Sequence, residues 1–418
     1  MSEKKKKWRK FRHRVVKALA YAFFYPYSVM RYGIHVESMK RPGKQPYLLL
    51  SNHQTAFDQF FVGMIYRGPV YYVASEDLFS NGFVSSLLRY AVAPIPIRKQ
   101  TTDIRSVMNC IKVAKEGGTI AIAPEGNRTF SGRTEYIKPS IVGLVRVLKL
   151  PVAFIRIEGG YGVQPRWSDV VRKGKMRAYV SRILTPEEAA RLTDDELLQL
   201  ICSELTVNDF EQEGIYRHKK LAEYLERVFY VCPDCGFSVL RSERDTVTCT
   251  KCGKKIRYLP DRTFQGVGFD FPLHNALEWY DFQSDYVNSF NLTADCSVPL
   301  FEDRASYSEV ILYQKKKILA KTVELKLYGD RITLDFAAEH IEYPFRSLDA
   351  VTVLGRNKLN IYFQDHVFQF KGDKRFNAVK YVNFYHRYRN LQEGNEHGKE
   401  RDQKSSSGVF GRIGYVHH

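Results

Sequence analysis

The chain has 418 residues, more than one hydrophobic core usually organises, so two to three domains of about 100 to 200 residues each are expected. Its 44% hydrophobic and 14% aromatic content is ample for packed cores and excludes a chain that is disordered throughout. A net charge of +18 calls for an anionic partner, either nucleic acid, an anionic membrane surface or a phosphorylated substrate, and composition does not choose among them.

Residues 1–30 form a basic arm followed by an apolar segment. The first 17 residues carry nine Lys or Arg against one Glu, and Val15 to Met30 then turns apolar and aromatic with Phe23, Phe24, Tyr25 and Tyr27. Lys17 and Pro26 break this run well short of the roughly 20 clean residues a membrane span needs. A solubilising tail is one reading. An interfacial anchor on anionic lipid is the favoured one, because the basic residues adjoin the aromatic ones. A secretory signal would need a longer apolar core and a small-residue cleavage site, so the expected location is cytoplasmic, peripheral on the inner face of the cell membrane. Seven cysteines, four of them in two Cys-x-x-Cys pairs and Cys110, Cys202 and Cys296 single, fit a reducing compartment.

From Tyr47 onward, short β-branched and leucine-rich runs predict strands near 47–51, 71–74, 92–97, 119–123, 152–157 and 176–183. Between them Ile104, Val107, Met108, Ile111 and Ala114 recur at helical spacing. The alternation predicts an α/β domain over residues 31–185, with a mixed or mostly parallel sheet flanked by helices. Thr185-Pro186-Glu187-Glu188 is a helix-start pattern, and two charged helices are expected to form a linker over 186–229. Residues 230–260 hold the cysteine pairs, and 261–304 is an aromatic connector without a clear pattern. Residues 305–390 alternate apolar with polar residues between Tyr328-Gly329-Asp330 and Gly355-Arg356-Asn357 turns, then close with an amphipathic helix from Asp373 to Tyr388. This predicts a small antiparallel β domain with a C-terminal helix. Residues 391–418 read as a disordered tail.

Two strings carry chemistry. Asn52-His53 leaves the 47–51 strand, and Asp58 follows five residues after the histidine, where a strand-to-helix corner can turn its carboxylate back onto the imidazole. One ring nitrogen is then held and the other left basic, the pair needed to take a proton from a hydroxyl attacking a carbonyl. No Gly-x-Ser-x-Gly elbow occurs, so the substrate's own hydroxyl is the expected nucleophile. Pro124-Glu125-Gly126-Asn127-Arg128 leaves the 119–123 strand at the same expected edge. There glycine permits close approach of a ligand, and arginine offers a forked donor to phosphate.

These strings resemble the glycerolipid acyltransferase family, which includes 1-acylglycerol-3-phosphate acyltransferase. Asn52, His53 and Asp58 match its Asn-His-x4-Asp block, and Pro124, Glu125, Gly126 and Arg128 match its Pro-Glu-Gly-Thr-Arg block, with Asn127 in place of threonine. Ile95-Pro96-Ile97-Arg98 and Leu150-Pro151-Val152-Ala153-Phe154 resemble its two looser blocks. The resemblance covers roughly residues 30–185. It implies acyl transfer from a thioester of coenzyme A or acyl carrier protein to the hydroxyl of lysophosphatidate, with His53 as general base and Asp58 as its orienter. Arg128 and Arg98 would bind the phosphate, while Glu125 and Gly126 would shape the acceptor pocket. Another lysolipid or glycerol-3-phosphate remains open as acceptor. The apolar run from Phe60 to Met64, with Leu78, Phe79, Phe83 and Val84, reads as core rather than as an acyl groove.

Cys232-Pro233-Asp234-Cys235 and Cys249-Thr250-Lys251-Cys252 form two knuckles separated by 13 residues, a spacing suited to tetrahedral zinc. Four thiolates leave no open position, so Zn2+ would be structural. The pattern resembles a zinc ribbon, and residues 305–390 resemble a pleckstrin-homology-like domain. Lys315-Lys316-Lys317 suits lipid headgroups or a solvated strand edge equally well. The rival reading, a non-enzymatic zinc-ribbon protein that binds nucleic acid, leaves both chemical strings unexplained.

Overall fold

The computed structural model describes residues 7–40, 43, 45–79, 83–97, 104–292, 296–311 and 314–397. It divides into two compact units. One holds the described residues up to Pro165 together with Val171–Arg217; the other holds Arg166–Val170 and most of the described residues from His218 on.

The elements of the first unit, in chain order, are α1 (Phe11–Tyr32), β1 (Ile34–Val36), β2 (Leu48–Ser51), α2 (Asp58–Ile65), β3 (Val70–Ser75), α3 (Phe83–Ala91), β4 (Ile95–Ile97), α4 (Ile104–Lys115), β5 (Thr119–Ile122), α5 (Ser140–Leu148), β6 (Val152–Glu158), α6 (Gly160–Val163), β7 (Met176–Leu184), α7 (Pro186–Arg191) and α8 (Asp194–Leu205). The seven strands form one sheet in the order β1-β7-β6-β2-β5-β3-β4, parallel throughout except where β7 runs antiparallel to β6. The mixed α/β class expected from the alternation is therefore the observed one.

Strand β2 is buried at all its positions, which accounts for its unbroken Leu48-Leu49-Leu50 run. Its side chains alternate between two cores. Leu49, with Ala153, Ile155 and Ile157 of β6, lies in one; Leu48 and Leu50, with Val152 and Phe154, lie in the other. Register decides where the chemistry falls. Leu48 pairs with Ile120 and Leu50 with Ile122, so the carboxyl ends of β2 and β5 lie side by side and both motif loops leave the same edge of the sheet.

The segment expected as a helical linker behaves differently. Helices α7 and α8 each start on a capping box, Thr185 with Glu188 and Thr193 with Glu196. Ala189, Leu197, Ile201 and Leu205 are then buried in the core under the sheet, so residues 186–205 are part of the α/β unit. Beyond Leu205 the only helical turns before residue 230 are short 3-10 turns at Asp209–Glu211 and Leu225–Arg227.

The second unit begins with β8 (Val231–Cys232) and β9 (Gly236–Phe237), a two-stranded ribbon. It is followed by β10 (Leu240–Glu243), β11 (Thr246–Cys249), β12 (Lys255–Tyr258) and β13 (Phe264–Gly266), an antiparallel sheet in chain order. The connector expected to lack pattern supplies β13 and a helix, α9 (Ala276–Ser289), capped by Asn275, whose side chain accepts from the N–H groups of Leu277 and Glu278. Trp279 of α9 stacks on Phe229 and donates to the Val231 carbonyl, and Gln283 bridges Val228 and Tyr230.

Then come β14 (Phe301–Glu309), β15 (Lys317–Leu327), β16 (Arg331–Phe336), β17 (Glu339–Pro344), β18 (Ala350–Leu354), β19 (Lys358–Phe363), β20 (His366–Lys371) and α10 (Val379–His397). Their sheet has the order β17-β16-β15-β14-β20-β19-β18, an antiparallel meander whose first strand pairs with its last. The closing helix starts at Val379, later than Asp373. The Asn377 side chain accepts from the N–H groups of Val379 and Lys380 and fixes the start there.

Candidate functional site

His53 lies in the loop between β2 and α2, and Asp58 is the first residue of α2. The His53 Nδ1 and Asp58 Oδ2 are 2.8 Å apart. The Asp58 side chain is only 4% exposed and the imidazole 26%. The carboxylate also accepts from the Gln54 N–H at 2.6 Å, the Thr55 N–H at 3.0 Å and the Thr55 hydroxyl at 2.6 Å. The carboxylate is surrounded by donors, and the imidazole Nδ1 meets it as one more.

The flanking residues fix this loop. Asn52 reaches across to β6, donating to the Ile157 carbonyl at 2.8 Å and accepting from the Ile157 N–H at 2.7 Å. The second motif loop is tied directly to the first. Glu125 Oε1 accepts from the His53 backbone N–H and Oε2 from the Glu135 N–H, both at 2.6 Å, and the His53 carbonyl accepts from the Thr129 N–H at 3.0 Å. Burial pushes the Glu125 carboxyl well above the usual range, partly offset by those two N–H groups. Glu125 thus braces the backbone of His53, a contact the sequence did not suggest.

Gly126 adopts a φ of 69°, and among the described residues a Cβ there would meet nothing within 4 Å. Its glycine is demanded by the backbone, and no described residue fills the space above it. Arg128 lies in the same loop, partly exposed. Arg98 falls outside the described residues. Two residues that no local pattern marks, Gln54 and Asp209, hydrogen-bond each other at 2.9 Å beside the histidine, although 155 positions separate them.

In the second unit the sulfurs of Cys232, Cys235, Cys249 and Cys252 lie within 4.8 Å of one another, with Cys232 to Cys252 at 3.9 Å and Cys235 to Cys249 at 4.0 Å. Tetrahedral zinc with Zn–S bonds of about 2.3 Å sets sulfurs roughly 3.8 Å apart, so the cluster fits that ion with every position filled by thiolate. The Ser238 hydroxyl, 3.0 Å from the Cys249 sulfur, supports one ligand from behind.

Two stretches of the chain match known families. Residues 33–158 match the family model described as Acyltransferase, and residues 225–263 match the one described as DNA directed RNA polymerase, 7 kDa subunit, a zinc ribbon. The chain is 24% identical over 187 residues to the 1-acyl-sn-glycerol-3-phosphate acyltransferase of Bacillus subtilis, a match covering 44% of this chain and 90% of that one. It is 24% identical over 197 residues to a chloroplastic 1-acyl-sn-glycerol-3-phosphate acyltransferase of Brassica napus, covering 45% of this chain and about half, 54%, of the relative. A solved 1-acyl-sn-glycerophosphate (LPA) acyltransferase from Thermotoga maritima aligns at 19% identity with a TM-score of 0.39, over 46% of this chain and 75% of that one.

The α/β unit with its motif loops is an O-acyltransferase domain. Over residues 33–158 it matches the acyltransferase family, and it is joined in one chain to a zinc ribbon and an antiparallel β domain.

Proposed function

We propose that the protein acylates lysophosphatidate, taking a fatty acyl group from a coenzyme A or acyl-carrier-protein thioester for phospholipid synthesis. The observation that carries this reading is the His53 to Asp58 contact at the carboxyl end of β2, braced by the neighbouring Pro124 to Arg128 loop. His53 Nε2 removes the proton of the acceptor hydroxyl as its oxygen attacks the thioester carbonyl. The collapsing intermediate breaks the C–S bond, and the imidazolium, steadied by Asp58, returns the proton to the departing thiolate. Arg128 and Arg98 bind the acceptor phosphate, and the open space above Gly126 admits it. Zinc, held by the four cysteines, has a structural role and takes no part in these steps.

The reaction belongs at a membrane surface, and α1 supports that. Among the described residues no helix is long and apolar enough to cross a membrane. Where α1 meets its own unit it makes polar contacts, with His13 Nδ1 3.0 Å from the Tyr71 hydroxyl, Arg12 donating to the Tyr90 carbonyl at 2.9 Å and Lys17 donating to the Gly63 carbonyl, and aromatic ones, with Phe24 on Phe60 and Tyr32 on Phe57 and Phe61. Large apolar side chains nevertheless face outward, with Phe11 79%, Phe23 73% and Met30 81% exposed. Seating such a face in lipid gains about 2 kcal/mol for each large side chain fully buried. The basic residues of the first 17 positions favour an anionic leaflet. The cytoplasmic face of the cell membrane is accordingly the proposed location.

The experiment is mass spectrometry of the products formed by purified protein with anionic liposomes. Lysophosphatidate, glycerol-3-phosphate and lysophosphatidylcholine are offered singly with acyl-CoA or acyl carrier protein. Phosphatidate from lysophosphatidate is the expected product. Acylation of another acceptor in its place would move the substrate assignment, and no acylation of any acceptor would refute the proposal.

A further inference from the structure

Asp209 lies beyond residue 158, where the acyltransferase match ends, in the stretch that the sequence suggested would be a linker. It is fully buried. A carboxylate in that position must be compensated by donors, and the identity of those donors is informative. Asp209 Oδ1 accepts from the Gln54 side-chain amide and the Gly159 N–H, each at 2.9 Å, and Oδ2 accepts from the N–H groups of Tyr161 at 2.8 Å and Gly162 at 3.2 Å. The Gln54 carbonyl oxygen takes the remaining N–H of this turn, that of Gly160, at 2.8 Å. Two side chains thereby satisfy four consecutive amides, from Gly159 to Gly162.

Gln54 adjoins His53, and its own backbone N–H donates to the Asp58 carboxylate. A continuous series of hydrogen bonds, buried as far as Asp58, therefore runs from Asp209 through Gln54 to Asp58 and on to the partly exposed His53 imidazole. The segment carrying Asp209 is also fastened to the chain that follows the second motif. Thr134 donates from its N–H to the Val207 carbonyl at 3.0 Å, and the Asp209 N–H donates to the Gly132 carbonyl at 3.0 Å. This one segment grips the continuations of both motif loops.

We propose that Asp209 is a positioning residue for the acyl transfer, fixing through the Gln54 side chain the loop that sets His53 against Asp58. The inference rests on the reading of His53 as general base. Loss of the bridge lets the loop relax, and misplacement of about 1 Å in such a site costs on the order of 10²-fold in rate. It also weakens the hold of Asp58 on the imidazolium, with Glu125 the other titratable group tied to the His53 backbone.

The test compares wild type, Asp209→Asn, Gln54→Met, their double variant and His53→Ala. The readouts are kcat, KM for each substrate, the pH dependence of kcat and thermal unfolding. Asp209→Asn and Gln54→Met are expected to lower kcat roughly 10- to 100-fold with little change in either KM. Both should move the acid limb of the kcat profile to lower pH, and the double variant should be no worse than the poorer single one. A purely structural role would reduce the folded fraction and leave that limb in place. Should Asp209→Asn fail to fold, Gln54→Met decides, because it leaves the bonds of Asp209 to Gly159, Tyr161 and Gly162 intact. Wild-type kcat and pH profile in folded Gln54→Met, or losses that simply multiply in the double variant, would overturn the inference. Wild-type turnover by His53→Ala would instead remove the reading on which it rests.

Discussion

Replacing Asp58 by asparagine changes one oxygen to an amide nitrogen while keeping the shape. Oδ2 faces the His53 Nδ1 and the Gln54 N–H, which are both donors, so a nitrogen there would set donor against donor. Oδ1 faces the Thr55 hydroxyl at 2.6 Å, which can rotate and accept, and the Thr55 N–H, which is shared with Oδ2 at 3.0 Å and keeps that acceptor. The amide therefore settles with its nitrogen towards Thr55. The Nδ1 proton keeps an acceptor, the tautomer is preserved, and the fold loses about 1 kcal/mol. What disappears is the negative charge beside the imidazolium. At about 4 Å between charge centres and an effective dielectric of about 20, that charge contributes roughly 4 kcal/mol. Asp58→Asn is accordingly expected to lower kcat about 10²- to 10⁴-fold, with KM for the acceptor nearly unchanged. Steady-state transfer to lysophosphatidate, paired with thermal unfolding of both proteins, measures this. A folded variant that loses less than about tenfold in kcat would refute the electrostatic role of Asp58.

Three further outcomes are expected. Glu125→Gln turns one amide N–H2 towards a backbone N–H, which costs about 1–3 kcal/mol and loosens His53, so kcat should fall while the acceptor KM holds; a rise in KM alone would return Glu125 to the acceptor pocket. Metal analysis of purified protein should find one zinc per chain, and chelation should raise hydrogen exchange across residues 230–260; a metal-free protein with unchanged protection there would contradict the zinc assignment. Burial holds the Lys17 ammonium at about 8, below its ordinary value near 10.4. Between those values the unfolded chain binds more protons, so the stability contributed by this group rises with pH through the window. The melting temperature of wild type relative to Lys17→Met should therefore rise from pH 8 to pH 10, and a constant difference would exclude the effect.

The sheet and the motif loops were legible because their signals are local. Leu48 to Leu50 is a continuous apolar run because both faces of β2 are covered, and the Thr185 cap lies next to the helix it starts. The role of Glu125 was not legible: its neighbours suggest a ligand pocket, while its partners are backbone N–H groups at His53 and Glu135. Asp209 carried no signal, because a buried carboxylate is recognised by its donors, and these lie far away in sequence. The 261–304 stretch lacked a period for a similar reason. Phe264 and Phe271 each pack edge-on to Trp279 at 5.2 Å, and such ring contacts follow no helix or strand spacing.

The proposed mechanism turns on His53 acting as the base in acyl transfer to a lysolipid hydroxyl. Its most direct test is the rate at which purified wild type and His53→Ala form phosphatidate from lysophosphatidate and an acyl thioester on anionic liposomes, with the folding of each checked by thermal unfolding. Wild type is expected to form product steadily, and the folded variant to lose at least about 10³-fold. Turnover by His53→Ala at the wild-type rate would contradict it.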